Sequence, residues 1–247
     1  MNLVDETIRW LTDPVNWQGE GGIPVRIEEH LALSLAALVL AGIVALPIGL
    51  AVGHSRRGAG VTVGLATVGR AIPSFALMGL VLPLTQSIDP ENGFTVYPTL
   101  FAMAVLAIPP ILVNTMTGVR EVDQDLVEAA RGMGFTDGQV LRRIEVPLAL
   151  PVILGGIRSA TVQVIATTTL GAILAYGGLG RYIVDGIAQS DDGQLYGGVV
   201  LVATLALLGE GLLALLQRLV QRSRRGAAVE ARAVIEPAGA PPSAVGA

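Results

Sequence analysis

The sequence contains no cysteine and no lysine. The first absence excludes disulfide scaffolds, thiolate metal sites and cysteine nucleophiles. The second removes the lysine of a phosphate-binding G-x-x-x-x-G-K-[S/T] loop, and no such motif occurs, so this chain is not expected to bind ATP itself. Histidine is nearly absent as well. His30 and His54 lie far apart in sequence, which leaves no ligand set for a metal and no catalytic constellation. Charge is scarce: 15% of residues are Asp, Glu or Arg, against about 25% in an ordinary soluble domain. The net charge of −4 argues against nucleic acid as a partner.

What the chain has instead is apolar length. Hydrophobic residues make up 52% of 247, and they are gathered into runs. A membrane-spanning helix needs about 20 mostly apolar residues. Residues 31–53 carry no formal charge, and 61–84 form a second run interrupted by Arg70. A third covers 92–119, a fourth 146–175 with Arg158 inside it, and a fifth 193–217 with Glu210 toward its end. The expected fold is therefore an all-α polytopic membrane protein of about five transmembrane helices.

Arginine placement orients these spans. Arg56 and Arg57 follow the first; Arg120, Arg131, Arg142 and Arg143 follow the third; Arg218, Arg222, Arg224, Arg225 and Arg232 follow the fifth. Those segments alternate onto one side. The other side carries Arg9, Arg26 and Arg181 among many acids. By the positive-inside rule the N-terminus is expected outside and the C-terminus in the cytoplasm of a bacterial cell. No cleavable signal peptide is expected, because the first thirty residues lack a basic start followed by an apolar core. Trp10 and Trp17, mixed with Asp5, Glu6, Asp13 and Glu20, suggest a short amphipathic segment at the outer interface. Residues 1–27 thus read as an extracytoplasmic segment, 28–220 as the membrane domain, and 221–247 as a disordered tail rich in Ala, Gly, Pro and Arg.

The cytoplasmic loop at 120–147 holds the densest pattern. Leu126, Val127, Ala129, Ala130 and Met133 form an apolar stripe on a helix whose other positions are mostly charged. Gly132 and Gly134 would break it, and Thr136 or Asp137 would cap a second helix through Val140, Leu141 and Ile144. Pro147 opens the next span, where its missing N–H is tolerated. The physical expectation is a helix-turn-helix lying parallel to the membrane. An ordinary connector between two spans would need no more than that.

Glu128-Ala129-Ala130, three residues, Gly134, nine residues, Ile144, one residue and Val146-Pro147 resemble the EAA loop of ABC importer permeases, with Val146 where that pattern has Leu. The likeness extends over residues 31–220. Arg70-Ala71-Ile72-Pro73-Ser74-Phe75-Ala76-Leu77 is similar to the Q-T-I-P-S-L-A-L of osmoprotectant permeases, the betaine, carnitine, choline and proline importers. Pro109-Pro110-Ile111-Leu112-Val113-Asn114-Thr115 resembles their L-P-I-L-R-N-T, and Gly177-Gly178-Leu179-Gly180 their outer-loop G-G-L-G. Arg70 and Val113 depart from the usual Gln and Arg. The resemblance implies a type I importer permease core and no enzyme activity or cofactor. Its implied partners are a separate ATP-binding subunit, an extracytoplasmic substrate-binding protein and a second permease copy or paralogue. It also implies coupling to the ATPase through Glu128, Ala129, Ala130, Gly134, Ile144 and Pro147. A permease for methionine or taurine is the alternative within the class. A proton-coupled secondary transporter using Arg70 and Glu210 is the alternative outside it.

Candidate pathway residues are Arg70, Pro73, Ser74, Asn114 and Thr168. A charge near midplane is costly, so Arg70 marks a water-facing wall, a structural partner or a break in its span. Pro73 allows a kink there. Asn114 serves as interhelical glue or as a substrate contact, and Thr161, Gln163, Thr167, Thr168 and Thr169 as packing or as a polar path. Arg158 is expected to pair with an acid of the 120–147 loop or to snorkel. Glu210 is expected in an ion pair with Arg218. Ten aromatic residues make no visible cage for a quaternary ammonium.

Overall fold

The computed structural model describes the backbone of residues 2–235, and the side chains of that range apart from Arg70 and residues beyond Gln221. The described residues are helical almost throughout and contain no strand. A short amphipathic helix, α1 (Leu3–Thr12), precedes α2 (Ile23–Ser55). Then come α3 (Ala59–Ala71), α4 (Ser74–Ile88) and α5 (Val96–Arg120). The segment 120–147 holds α6 (Gln124–Gly132) and α7 (Asp137–Val140). After it run α8 (Val146–Thr168), α9 (Gly180–Gln189) and α10 (Asp192–Ile235).

Among the described residues, four helical stretches are long and apolar enough to cross a membrane: Ile23–Ser55, Val96–Arg120, Asp137–Leu174 and Asp192–Gln221. The fifth expected span is bent. Ala59–Gly69 and Ser74–Ile88 meet at 85° across the Ala71-Ile72-Pro73 corner. Pro73 causes the break: its ring excludes the helical region for Ile72, whose φ and ψ are −77° and 123°. The first span starts earlier than the apolar run suggested, because Arg26 and Glu29 pair at i, i+3 and carry the helix outward. The backbone of α10 continues past Gln221 as far as Ile235. Residues 236–247 lie outside the described residues.

Helix α5 is the hub; 61% of its most apolar stretch is buried, against 6% for α10. Helix α2 packs on it through a ridge of small residues spaced by four: Ala37, Ala41, Ala45, Gly49 and Gly53, all buried. In lipid, where apolar side chains gain nothing by leaving the solvent, close backbone approach supplies the attraction. The approach is tight. A Cβ on Gly49 would lie 2.8 Å from Thr115 Cβ, and one on Gly53 would lie 2.7 Å from Val119 Cβ. Met78, Met103, Ile111, Ala160 and Val164 complete the central core. Helix α8 crosses α5 where Gly156 faces Asn114 and the Pro110 carbonyl, at 2.6 and 2.7 Å from a hypothetical Cβ.

Candidate functional site: the coupling segment and its anchors

Residues 120–147 fold into a miniature core. Val122, Val127, Ala130 and Val140 are buried together, with Phe135 and Ile144 packed against them. Helix α6 starts because the Asp123 side chain accepts from the Asp125 N–H. It ends where Gly134 adopts φ +87°, a left-handed conformation that glycine alone takes without strain. Thr136 and Gln139 then form a reciprocal capping box that starts α7.

Four of the six residues of the E-A-A…G…I…P pattern, Ala130, Gly134, Ile144 and Pro147, thereby have a physical role in the fold of the segment. Ala130, 1% exposed, is small because it lies inside the miniature core. Gly134 makes the turn, and Ile144 fills the core from the other side. Glu128 and Ala129 face outward. Beside them Leu126 and Met133 are 46% and 72% exposed, so the outer face offers an apolar knob ringed by charge. The stripe expected from sequence is thus split. Val127 and Ala130 point in, whereas Leu126, Ala129 and Met133 point out, because the apolar arc is wider than the face α7 can cover.

The second half of the expected helix-turn-helix is not a separate surface helix. Helix α7 passes through a π turn, Leu141–Glu145, straight into α8. Pro147 accounts for the wide turn: lacking an N–H and clashing with the carbonyl four residues back, it is relieved by one looser turn ahead of it.

Two further contacts anchor this segment, and neither was foreseen from the sequence. Glu145, at the end of the π turn, is 1% exposed and accepts a hydrogen bond from His54 Nδ1 at 2.5 Å. His54 sits in the last turn of α2. Next to it Arg56, in a left-handed conformation at φ 56°, donates to the carbonyls of Arg120 and Val122, both at 3.1 Å. Arg120 donates back to the Arg56 carbonyl at 2.8 Å. These guanidinium groups satisfy carbonyls that a helix C-terminus leaves open. The end of α2, the end of α5 and the start of α8 are therefore joined at one point.

The opposite end of the bundle is tied separately. The Glu29 carboxylate accepts from Arg26 at 2.9 Å and from the Gly178 N–H at 2.7 Å, and Tyr176 donates to the Glu29 carbonyl. Burial, reinforced by the Glu29 carboxylate, pushes the Tyr176 phenol up to about 12. His30, fully buried, donates from Nε2 to the Ile165 carbonyl, and Ser34 meets Thr168 at 3.1 Å.

The pathway candidates are not gathered in one place. Pro73 is exposed and Ser74 half-buried at the α3–α4 corner. The Arg70 side chain lies outside the described residues. Asn114 donates to the Pro110 carbonyl and packs under Gly156, and Thr168, 1% exposed, faces α2. Arg158 finds no acid in the 120–147 loop; its Nε lies 3.1 Å from Glu210 on α10, and it also donates to Gln217. Glu210 therefore pairs with Arg158 and not with Arg218, because α8 and α10 bring their inner faces together where sequence distance gives no hint.

The described residues combine several apolar spans with a capped, glycine-turned loop and an exposed apolar knob, and comparison with known proteins assigns this arrangement to the ABC importer permeases. Residues 37–226 match the family "Binding-protein-dependent transport system inner membrane component", and the chain belongs to that family. It is a membrane-embedded permease subunit, working with a separate ATP-hydrolysing chain and a substrate-binding protein. It is 36% identical over 200 residues to the glycine betaine/carnitine/choline transport system permease protein OpuCB of Bacillus subtilis, covering 81% of this chain and 89% of that one. It is 39% identical over 189 residues to the osmoprotectant import permease protein OsmW of Salmonella typhimurium, covering 76% and 87%. Among solved structures, an inward-facing conformation of the MetNI methionine ABC transporter aligns with a TM-score of 0.73 at 23% identity, covering 85% of this chain and 99% of that one. The shared architecture is the type I importer permease fold.

Proposed function

We propose that this chain forms the membrane path of an ATP-driven importer for a small compatible solute of the betaine, choline, carnitine or proline type. The observation that carries the reading is its 34–39% identity to permeases named for such solutes, over most of its length. The arginine distribution supports an orientation with the N-terminus outside. His54, Arg56, Arg120 and the 120–147 segment, with its Arg131, Arg142 and Arg143, share one end of the bundle; Arg57 follows α2, and Arg218 and Arg222 follow the last apolar run in sequence. That end is the cytoplasmic one by the positive-inside rule.

In this reading Glu128, Ala129, Leu126 and Met133 seat the ATPase, Gly134 sets the turn, and Ala130, Ile144 and Pro147 hold the segment rigid enough to transmit force. ATP-driven closure of the ATPase pair shifts the populations of inward- and outward-open states through this segment. The bent α3–α4 pair, with Arg70, Pro73 and Ser74 at its corner, forms a wall of the solute path. The pairing of Glu210 with Arg158 supports a structural role for that acid.

The test is uptake of labelled glycine betaine, choline, carnitine and proline into vesicles holding the permease, its ATPase and its binding protein. Methionine and taurine serve as the contrasting solutes. ATP-dependent uptake of one of the first four, lost in Gly134→Asp while the chain still inserts, is the expected result. Uptake of methionine or taurine alone would overturn the solute class, and uptake indifferent to ATP would overturn the mechanism.

A further inference from the structure

The bond between His54 and Glu145 joins residues 91 apart, and neither belongs to the E-A-A pattern. It sits where three elements converge. Glu145 ends the π turn that continues α7 into α8, and His54 ends α2. A carboxyl group that is 1% exposed is costly without a hydrogen-bond partner, and His54 supplies one. The π turn is the loosest backbone between the coupling segment and the membrane, the type of turn at which a helix re-aims. Behind it α2 is locked to α5 by the Gly53 approach to Val119 and by the Arg56–Arg120 exchange. Motion of α7 can therefore be absorbed in the π turn or handed to α2. The hydrogen bond decides which.

We infer that His54 and Glu145 form a positioning tie that makes α2, and with it α5, follow the coupling segment when the ATPase moves it. The inference rests on the coupling role proposed above for residues 120–147. It assigns to the pair a mechanical task, distinct from contact with the ATPase or the solute. Without the tie the π turn flexes, the coupling segment moves alone, and ATP is hydrolysed with little solute moved.

The experiment compares wild type with Glu145→Gln and with the pair His54→Leu/Glu145→Leu, each assembled with its ATPase and binding protein. Glutamine still accepts from Nδ1, so solute moved per ATP stays within about twofold of wild type. The leucine pair removes both polar groups together, which leaves no buried charge behind and preserves assembly. Its transport-to-hydrolysis ratio falls about tenfold. A leucine pair that assembles and transports at the wild-type ratio overturns the inference.

Two further readings keep the question decidable. Should the leucine pair fail to assemble, His54→Ala is tested with and without added imidazole. Free imidazole satisfies Glu145 but is not attached to α2, so the ratio stays low; recovery would mean that the pair only stabilises the fold. The lack of native cysteine permits spin labels at Ile48→Cys on α2 and Gly138→Cys on α7, an exposed position with open space around it. Their separation stays constant between the nucleotide-free and ATP–vanadate states when the tie is intact. It shifts by at least about 2 Å when the tie is cut. An equal response in both proteins overturns the inference. This distance needs no solute, so a failure of the betaine-type reading, seen as no uptake by wild type, is distinguishable from a failure of the tie.

Discussion

The packing of α2 on α5 yields a sharp test at Gly53. A methyl group there would lie 2.7 Å from Val119 Cβ and 3.0 Å from the Met116 carbonyl oxygen. Carbon atoms pack best at about 3.5–4.0 Å, so the two helices must separate locally by about 1 Å. Rotating Val119 cannot relieve the clash, because its Cβ is fixed to the backbone and the Met116 oxygen is backbone itself. Overpacking of this kind costs about 1–3 kcal/mol. For a chain of this size each kcal/mol lowers the melting temperature by about 2–4 °C. Gly53→Ala is therefore expected to melt about 2–12 °C below wild type in detergent, read by tryptophan fluorescence. Gly42→Ala is the matched control: it lies on the same helix, where the nearest atom to the new methyl is Leu46 Cδ1 at 3.9 Å. That variant should melt at or slightly above wild type, since alanine favours the helix by up to about 1 kcal/mol over glycine. If Gly53→Ala and Gly42→Ala melted together, the small-residue ridge would not be what holds α2 to α5.

At Gly134, φ is +87° and no atom lies within 4 Å of a hypothetical Cβ, so the cost of substitution is conformational. Gly134→Asn should retain more ATP-dependent uptake than Gly134→Val, because Asn tolerates the left-handed region at a cost nearer 1 kcal/mol. Tyr176 sets an alkaline limit. Its folded pKa, about 12, lies above the ordinary value of 10. Its contribution to stability is therefore complete below pH 10 and is lost as pH climbs from 10 towards 12. Melting curves of Tyr176→Phe should show a shallower fall over that window than wild type. For Arg158 and Glu210, a double-mutant cycle with Met and Gln should give a coupling near 1 kcal/mol in detergent unfolding. Additive single effects would show that the 3.1 Å contact is incidental.

The sequence made some of this architecture legible and hid the rest for physical reasons. The spans were readable because bilayer thickness sets a length that apolar runs must match. Pro73 and Gly134 were readable because each constrains its own backbone, whatever surrounds it. Thr136 was readable as a cap for the same reason. Side-chain pairing was not. His54 offered no local cue to Glu145, and Arg158 met Glu210 rather than an acid of the loop, because helix rotation about the α5 hub decides which faces meet. The stripe of α6 failed more subtly. Leu126, Ala129 and Met133 share a helical arc with Val127 and Ala130, but α7 is four residues long and covers only part of it. The uncovered part holds Glu128 and Ala129, the first two residues of the E-A-A pattern, and on the proposed reading that face is a docking surface and not misplaced core.

If α2 follows the 120–147 segment as inferred, its ends explain how a helix of 33 residues serves as a lever without being rigidly buried. One side of it faces outward through Leu35, Val39, Ile43 and Ile48. Apolar contact in lipid discriminates weakly between neighbours, so this side gives little positional control. Control comes from the ends. Near the start, Glu29 holds the Gly178 N–H and His30 holds the Ile165 carbonyl; at the finish, His54 holds Glu145. The bonds to Ile165 and Glu145 run to the last turn of α8 and to the turn that opens it, so α2 and α8 are tied near both ends, and Glu29 adds a tie to the turn that precedes α9. A displacement entering at Glu145 then has a bonded route to the Gly177–Gly180 turn some thirty residues beyond it. A helix pair joined only by its apolar middle would slip instead, since van der Waals contact along a smooth ridge resists separation far better than sliding.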